Sequence, residues 1–233
     1  MDLVKTPFVI LCQGHSGTTY LASLLDSHPD IACYGELFND RSSRRSELSF
    51  RASDHEDPRA FFRDLVARTD ALAVGFKLGA WGMRMHHPEA AEIVEEPGLH
   101  IIRLRRNPLA KLVSTRLSNV RSGKDGRRSY RQDPVRLDPK ATMRSLRYLD
   151  YENRLLDGLA QGSPTVQLTY EELVADPTIE HVQRFLAVEP RPLHSPSSKR
   201  RPRPLPEMIV NWAELAAELR ASGLERYLDE GAA

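Results

Sequence analysis

Between an apolar run, Phe8-Val9-Ile10-Leu11-Cys12, and a helical pattern from Thr18 to Leu25, the chain reads Gln13-Gly14-His15-Ser16-Gly17-Thr18-Thr19. Glycines let backbone N–H groups come close to an anion, and a helix starting there adds donors and a partial positive charge. The hydroxyls of Ser16, Thr18 and Thr19 can donate to phosphate oxygens. The stretch is a candidate phosphate-binding turn, with an ordinary strand–helix turn as the plain alternative. A nucleoside-triphosphate P-loop needs G-x-x-x-x-G-K-[ST]; here the lysine is missing and the glycines stand too close together.

A second cationic cluster lies in Arg103-Leu104-Arg105-Arg106-Asn107-Pro108, with Ser114 eight residues after Arg106. Arginine suits a phosphate dianion because its planar fork donates two parallel hydrogen bonds. A helix starting at Pro108 sets Ser114 about two turns in. A cationic helix start is unfavourable without an anion, which argues for a bound one. Lys77 closes a strand pattern, and Glu36 lies in Tyr34-Gly35-Glu36-Leu37. Lys199-Arg200-Arg201 reads equally as a solvated charge run or as a basic loop over an anion.

The elements that must position these groups alternate. A continuous apolar run at 8–12 suits a strand buried on both faces, and 72–78, 100–104 and 165–168 also read as strands. Helical patterns run from 18 to 25, from Asp57-Pro58 to Arg68, from Pro108 to about 118, from Pro139 onward, around 171–186, and from 207 to 219. Residues 39–57 and 121–138 read as loops. The pattern predicts an α/β fold: a mainly parallel sheet flanked by helices. Ligands of such sheets sit beyond the carboxyl ends of the strands, where the first turn lies.

The 233 residues suit one domain, 1–233. With 33 Lys+Arg against 32 Asp+Glu, bulk attraction to nucleic acid or an anionic membrane has no support, so any anion needs a local basic cluster. Cys12 and Cys33 are no disulfide framework. Neither a signal peptide nor a bilayer-spanning run is visible, so a cytoplasmic protein without stable membrane insertion is expected. No His/Cys/Asp set has ligand spacing, and no metal is expected.

The stretch His15-Ser16-Gly17-Thr18-Thr19-Tyr20 resembles the 5′-phosphosulfate loop of sulfotransferases that use 3′-phosphoadenosine 5′-phosphosulfate (PAPS). Its continuation, Leu24-Leu25-Asp26-Ser27-His28-Pro29-Asp30-Ile31, looks like the carbohydrate and tyrosylprotein branches of that family. The Arg106 to Ser114 block is similar to the family's 3′-phosphate motif. Tyr170-Glu171-Glu172-Leu173 resembles its post-strand segment, and Asn211-Trp212 the closing helix of bacterial members such as the nodulation-factor sulfotransferases. The resemblance runs from Phe8 to about Tyr227 and is patchy at 39–70 and 119–138. It departs at His15, where the family carries a lysine or arginine.

The resemblance implies a P-loop-like sulfotransferase fold and transfer of a sulfuryl group from PAPS to a hydroxyl of a small-molecule or carbohydrate acceptor, leaving PAP. Gly14, His15, Ser16, Gly17, Thr18, Thr19 and Tyr20 would hold the phosphosulfate. Arg106 and Ser114 would hold the 3′-phosphate, with Tyr170, Lys199 and Arg200 nearby. Packing of the helix on the sheet is the larger share of the reading for Tyr170. Glu36 would be the base, and Lys77 and His15 would donate to the sulfuryl or bridging oxygens. A surface carboxylate and a snorkelling lysine are the plain readings of Glu36 and Lys77. A non-catalytic PAP-binding protein, a P-loop-type kinase and a protein-tyrosine sulfotransferase are the other functions weighed. The missing P-loop lysine disfavours the kinase, and the missing secretory signal disfavours the last.

Because His15 replaces a permanent cation with a group whose reference pKa is about 6.5, donor binding should depend on pH. A bound phosphosulfate favours the imidazolium, so binding should take up a proton near neutrality and affinity should fall as pH rises. Calorimetry of PAP binding in buffers of different ionisation enthalpy measures the uptake. His15→Arg should flatten the dependence and keep activity, whereas His15→Ala should lose turnover.

Overall fold

The computed structural model describes residues 4–38, 57–85, 88–120, 133–196 and 203–229. In chain order the elements are β1 (Thr6–Cys12), α1 (Thr18–Leu25), β2 (Ile31–Cys33), α2 (Pro58–Arg68), β3 (Ala73–Gly79), α3 (Ala80–Met85) and a 3-10 turn (Pro88–Glu95). They continue with β4 (His100–Arg105), α4 (Pro108–Val120), α5 (Pro139–Leu159), β5 (Thr165–Thr169), α6 (Tyr170–Ala175), α7 (Glu180–Phe185), α8 (Leu205–Met208), α9 (Trp212–Ala221) and a closing 3-10 turn (Glu225–Leu228). They form two compact units: Met1–Arg105 with Arg154–Lys199, and Arg106–Asn153 with Arg200–Ala233.

The first unit holds a five-stranded parallel sheet in the order β2-β3-β1-β4-β5. Alternate residues of β1 feed two cores. Phe8, Ile10 and Cys12 pack with Leu21, Leu24 and Leu25 of α1, Leu173 of α6 and Val182 of α7. Val9 and Leu11 pack on the other face with Phe61, Phe62 and Leu65 of α2 and with Leu156. Both faces of the sheet are therefore covered, which is why the central strand β1 reads as an unbroken apolar run, while β3 and β4 carry Lys77 and Arg103 among their apolar residues. Asp57 caps α2 as its sequence implies, accepting the Arg59 N–H at 2.8 Å, with Pro58 at the first helical position. α1 ends at Leu25 with Asp26 as its cap, and three residues past the helix end His28 is buried, its Nδ1 accepting the Asp30 N–H at 3.0 Å and its Nε2 2.9 Å from the Glu189 carbonyl.

The sequence pattern suggested four strands, and β2 is the fifth. It has three residues, too few to show a period, and its pairing with β3 is non-local. It lies at the sheet edge, and its outward N–H groups are taken by its own neighbourhood. Ile31 donates to the His28 carbonyl at 3.2 Å, and Cys33 to Asp26 Oδ1 at 3.0 Å.

In the second unit, Leu109 and Val113 of α4, Leu146 of α5, and Leu215 and Leu219 of α9 share a core with Tyr227. The helix expected over 207–219 is two helices, α8 and α9. Ile209 pairs with Val135, and the Asn211 amide exchanges two hydrogen bonds with the backbone of Leu137, so 209–211 is drawn out of helical geometry.

Gly75 lies opposite Phe8 in the sheet, and a Cβ there would meet the Phe8 carbonyl oxygen at 2.3 Å. Gly158, in α5, has nothing within 4 Å of such an atom. Urea unfolding should therefore show Gly75→Ala losing about 1–3 kcal/mol or more from forced overpacking. Gly158→Ala should gain up to about 1 kcal/mol from helix propensity.

Candidate functional site

The turn after β1 closes on a left-handed glycine. Gly17 has φ 90° and caps α1, accepting the N–H groups of Tyr20 at 3.0 Å and Leu21 at 3.1 Å. Having no side chain, it contributes no side-chain acceptor to the first turn of α1. The Tyr170 ring lies against it: a Cβ on Gly17 would stand 2.4 Å from the ring. Tyr170 is held there as the first residue of α6, behind a capping box. The Thr169 hydroxyl accepts the Glu172 N–H at 3.1 Å, and Glu172 accepts the Thr169 N–H at 2.8 Å. The Thr169 N–H and the Thr169 hydroxyl, which also donates to Glu172 Oε2 at 2.8 Å, hold the Glu172 carboxyl below the usual carboxylate range. Tyr170 is thus a buried wall of the turn.

The other turn residues divide by burial. Ser16 and Thr18 are buried, Tyr20 is half-buried, and Gly14, His15 and Thr19 are exposed. His15 also has a left-handed backbone, φ 61°, a conformation histidine tolerates better than most residues. Gly14 has open space where a Cβ would be, so Gly17 is the glycine that the fold itself requires.

Lys77 and Glu36 meet beside this turn. The Lys77 Nζ is 2.7 Å from Glu36 Oε1 and donates to the Thr19 hydroxyl at 3.3 Å. The backbone explains the meeting: β2 leads to Gly35, whose carbonyl accepts the Lys77 N–H at 2.6 Å, and Lys77 pairs with Ile10 of β1. The lysine side chain is only 9% exposed and the glutamate 41% exposed. A carboxylate open to a reactant is thus held by a cation that also touches the turn. Cys12, at the end of β1, is a buried thiol that desolvation pushes up to about 11.

Sequence reasoning missed a charged network on β4. Arg103 is fully buried, donating from Nε to Asp157 Oδ1 at 3.0 Å and from Nη1 to the Leu104 carbonyl at 3.0 Å. Asp157 also holds the Arg105 Nη2 at 2.8 Å. Burial pulls the Arg103 guanidinium below its ordinary value, and Asp157 pulls back. The signal was available only in part: arginine at alternate strand positions marks one face, but Asp157 lies on a distant helix.

In the second unit, Arg106 and Ser114 are both half-buried, Arg106 two residues before α4 and Ser114 within it. The helix start is already filled. The Asn107 Oδ1 accepts the N–H groups of Leu109 at 2.8 Å and Ala110 at 3.0 Å. The electrostatic case for an anion at this helix end is therefore weakened, and side chains would have to hold one. Lys199 and Arg200 lie outside the described residues, as do 39–56 and 121–132. Among the described residues no helix is long and apolar enough to cross a membrane.

A family model described as "Sulfotransferase family" matches residues 7–192. The chain is 28% identical over 241 residues to Nodulation protein H of Rhizobium meliloti (strain 1021), covering 97% of this chain and 96% of that protein. It is 34% identical over 110 residues to Nodulation protein H of Rhizobium tropici, a match spanning 46% of this chain and 44% of that protein. The crystal structure of a sulfotransferase from Alicyclobacillus acidocaldarius matches with a TM-score of 0.53 and 21% identity, over 95% of this chain and 94% of that one, a likeness of fold.

If Tyr170 and Gly17 form one packing unit, their substitutions should couple. Gly17→Ala should destabilise by about 1–3 kcal/mol through overpacking and its positive φ. Adding Tyr170→Ala should cost less than the sum of the two single changes, with a coupling of about 0.5–3 kcal/mol in a urea double-mutant cycle. Strict additivity would separate them.

Proposed function

This chain belongs to the sulfotransferase family, and we propose that it moves a sulfuryl group from PAPS to a hydroxyl of a small-molecule or carbohydrate acceptor, leaving PAP. The observation that carries this reading is the Glu36–Lys77–Thr19 chain, which gathers a carboxylate, a cation and the candidate phosphosulfate turn at the carboxyl ends of β2, β3 and β1. The family match runs through both units, which supports reading residues 1–233 as one sulfotransferase domain, and a cytoplasmic location is part of the same proposal.

The donor set fits PAPS. In the proposed assignment, Gly14 to Tyr20 hold the phosphosulfate through backbone N–H groups and hydroxyls. Tyr170 shapes the turn from behind. Arg106 and Ser114 take the 3′-phosphate through charge-assisted bonds, with Lys199 and Arg200 covering the nucleotide. PAPS, when bound, supplies the sulfuryl group and a phosphate leaving group for in-line displacement. Glu36 accepts the proton of the acceptor hydroxyl. Lys77 holds that carboxylate in an ion pair and has the reach to donate to sulfuryl oxygens. His15, when protonated, donates beside the bridging oxygen. Positioning and charge stabilisation do the larger part of such group transfers.

Incubation with PAPS and a panel of glycosides and small hydroxyl metabolites should yield a product heavier by one sulfonate, read by mass spectrometry. Glu36→Gln keeps the shape but cannot take a proton, so kcat should fall by roughly 10²–10⁴-fold with PAP affinity kept. An unchanged kcat across the pH range would remove Glu36 from the mechanism.

A further inference from the structure

We propose that Asn107 is a positioning residue for the nucleotide's 3′-phosphate: its amide clips the segment Tyr227–Asp229 onto the start of α4 and so fixes the neighbouring Arg106. The inference rests on the reading of Arg106 as a 3′-phosphate ligand. An asparagine amide offers two acceptor lone pairs and two donor hydrogens. Asn107 is fully buried and uses all four. Its Oδ1 accepts from Leu109 and Ala110, and its Nδ2 donates to the carbonyls of Tyr227 at 3.1 Å and Asp229 at 2.7 Å.

A helix cap alone needs only the oxygen, and serine or aspartate would serve as well. The two Nδ2 bonds are what asparagine adds, and both reach across about 120 residues of sequence to the closing segment. That segment is itself anchored. The Tyr227 hydroxyl donates to Asp150 of α5, and Arg226 Nη2 donates to the same carboxylate at 2.6 Å. Burial and the bond to Asp150 raise the Tyr227 phenol above its ordinary value, so it stays a protonated donor. The carbonyls that Asn107 grips therefore belong to a segment tied down from its other side. One residue before this clip stands Arg106, whose backbone direction is set by it.

Asn107→Ser and Asn107→Asp keep a cap oxygen and lose both Nδ2 donors. Calorimetry on the full chain would compare PAP with adenosine 5′-monophosphate, which lacks the 3′-phosphate. Each variant should weaken PAP by about tenfold and change the monophosphate less than about twofold, as expected when buried hydrogen bonds behind one phosphate are lost. Tyr227→Phe, which loosens the segment and leaves Asn107 intact, should give a smaller loss confined to PAP. Thermal unfolding identifies variants that fold. Arg106→Ala serves as the control and should weaken PAP alone. If it discriminates while the Asn107 variants bind PAP normally, or lose both nucleotides by one factor, Asn107 is only a helix cap and the proposal falls. If Arg106→Ala weakens both nucleotides alike, the 3′-phosphate reading falls and takes the positioning role with it.

Discussion

In β1 the residues from Phe8 to Cys12 have a hydrogen-bonded parallel neighbour on each side, β3 on one and β4 on the other. That register decides what stands at the carboxyl edge of the sheet. Ile10 opposite Lys77 sends the lysine to the α1 side, where Thr19 waits. Leu11 opposite Arg103 sends that arginine to the other face, where Asp157 meets it. A slip by one residue would exchange the faces, burying Lys77 among the residues that pack on Phe62 and exposing Phe76 beside the turn. The apolar packing on both faces, from Leu21 and Leu24 on one side and Phe61 and Leu156 on the other, is what forbids the slip.

The two helix starts that follow β1 and β4 solve the same electrostatic problem in opposite ways. Each begins with a turn of N–H groups that the helix cannot satisfy. At α1 the cap is a glycine, which brings no oxygen of its own and leaves the polarity of that turn for something else. At α4 the cap is Asn107, which spends its oxygen on two of those groups. Under the proposed function, a backbone-lined anion site would suit the first start and a side-chain-lined one the second. The sequence shows this difference at the cap position itself, Gly17 against Asn107.

The alternation of strands and helices, the turn and the start of α2 could be read directly, because each is a local pattern: an apolar run, glycines among hydroxyls, Asp57 before Pro58. The Asn-Pro pair at 107–108 carried an equally local cap signal that reading Arg106 as the main feature passed over. What stayed out of reach depended on pairing between distant segments. The meeting of Glu36 with Lys77 needs β2 beside β3, and β2 is too short to announce itself. Tyr170 and Gly17 are more than 150 residues apart, and the split of the last helix follows from Val135 and Leu137, which no periodicity in 205–221 encodes.

The edge strand β2 bears on how this chain meets other chains. An open sheet edge normally presents a row of backbone donors and acceptors that a second polypeptide can zip onto. Here the edge is three residues long and both of its outward donors are already taken, one by a carbonyl of the preceding loop and one by the Asp26 carboxylate. A foreign strand arriving at that side would have to displace a charged acceptor to gain a single rung. Among the described residues the edge is closed by these hydrogen bonds, so self-templated growth through it is disfavoured.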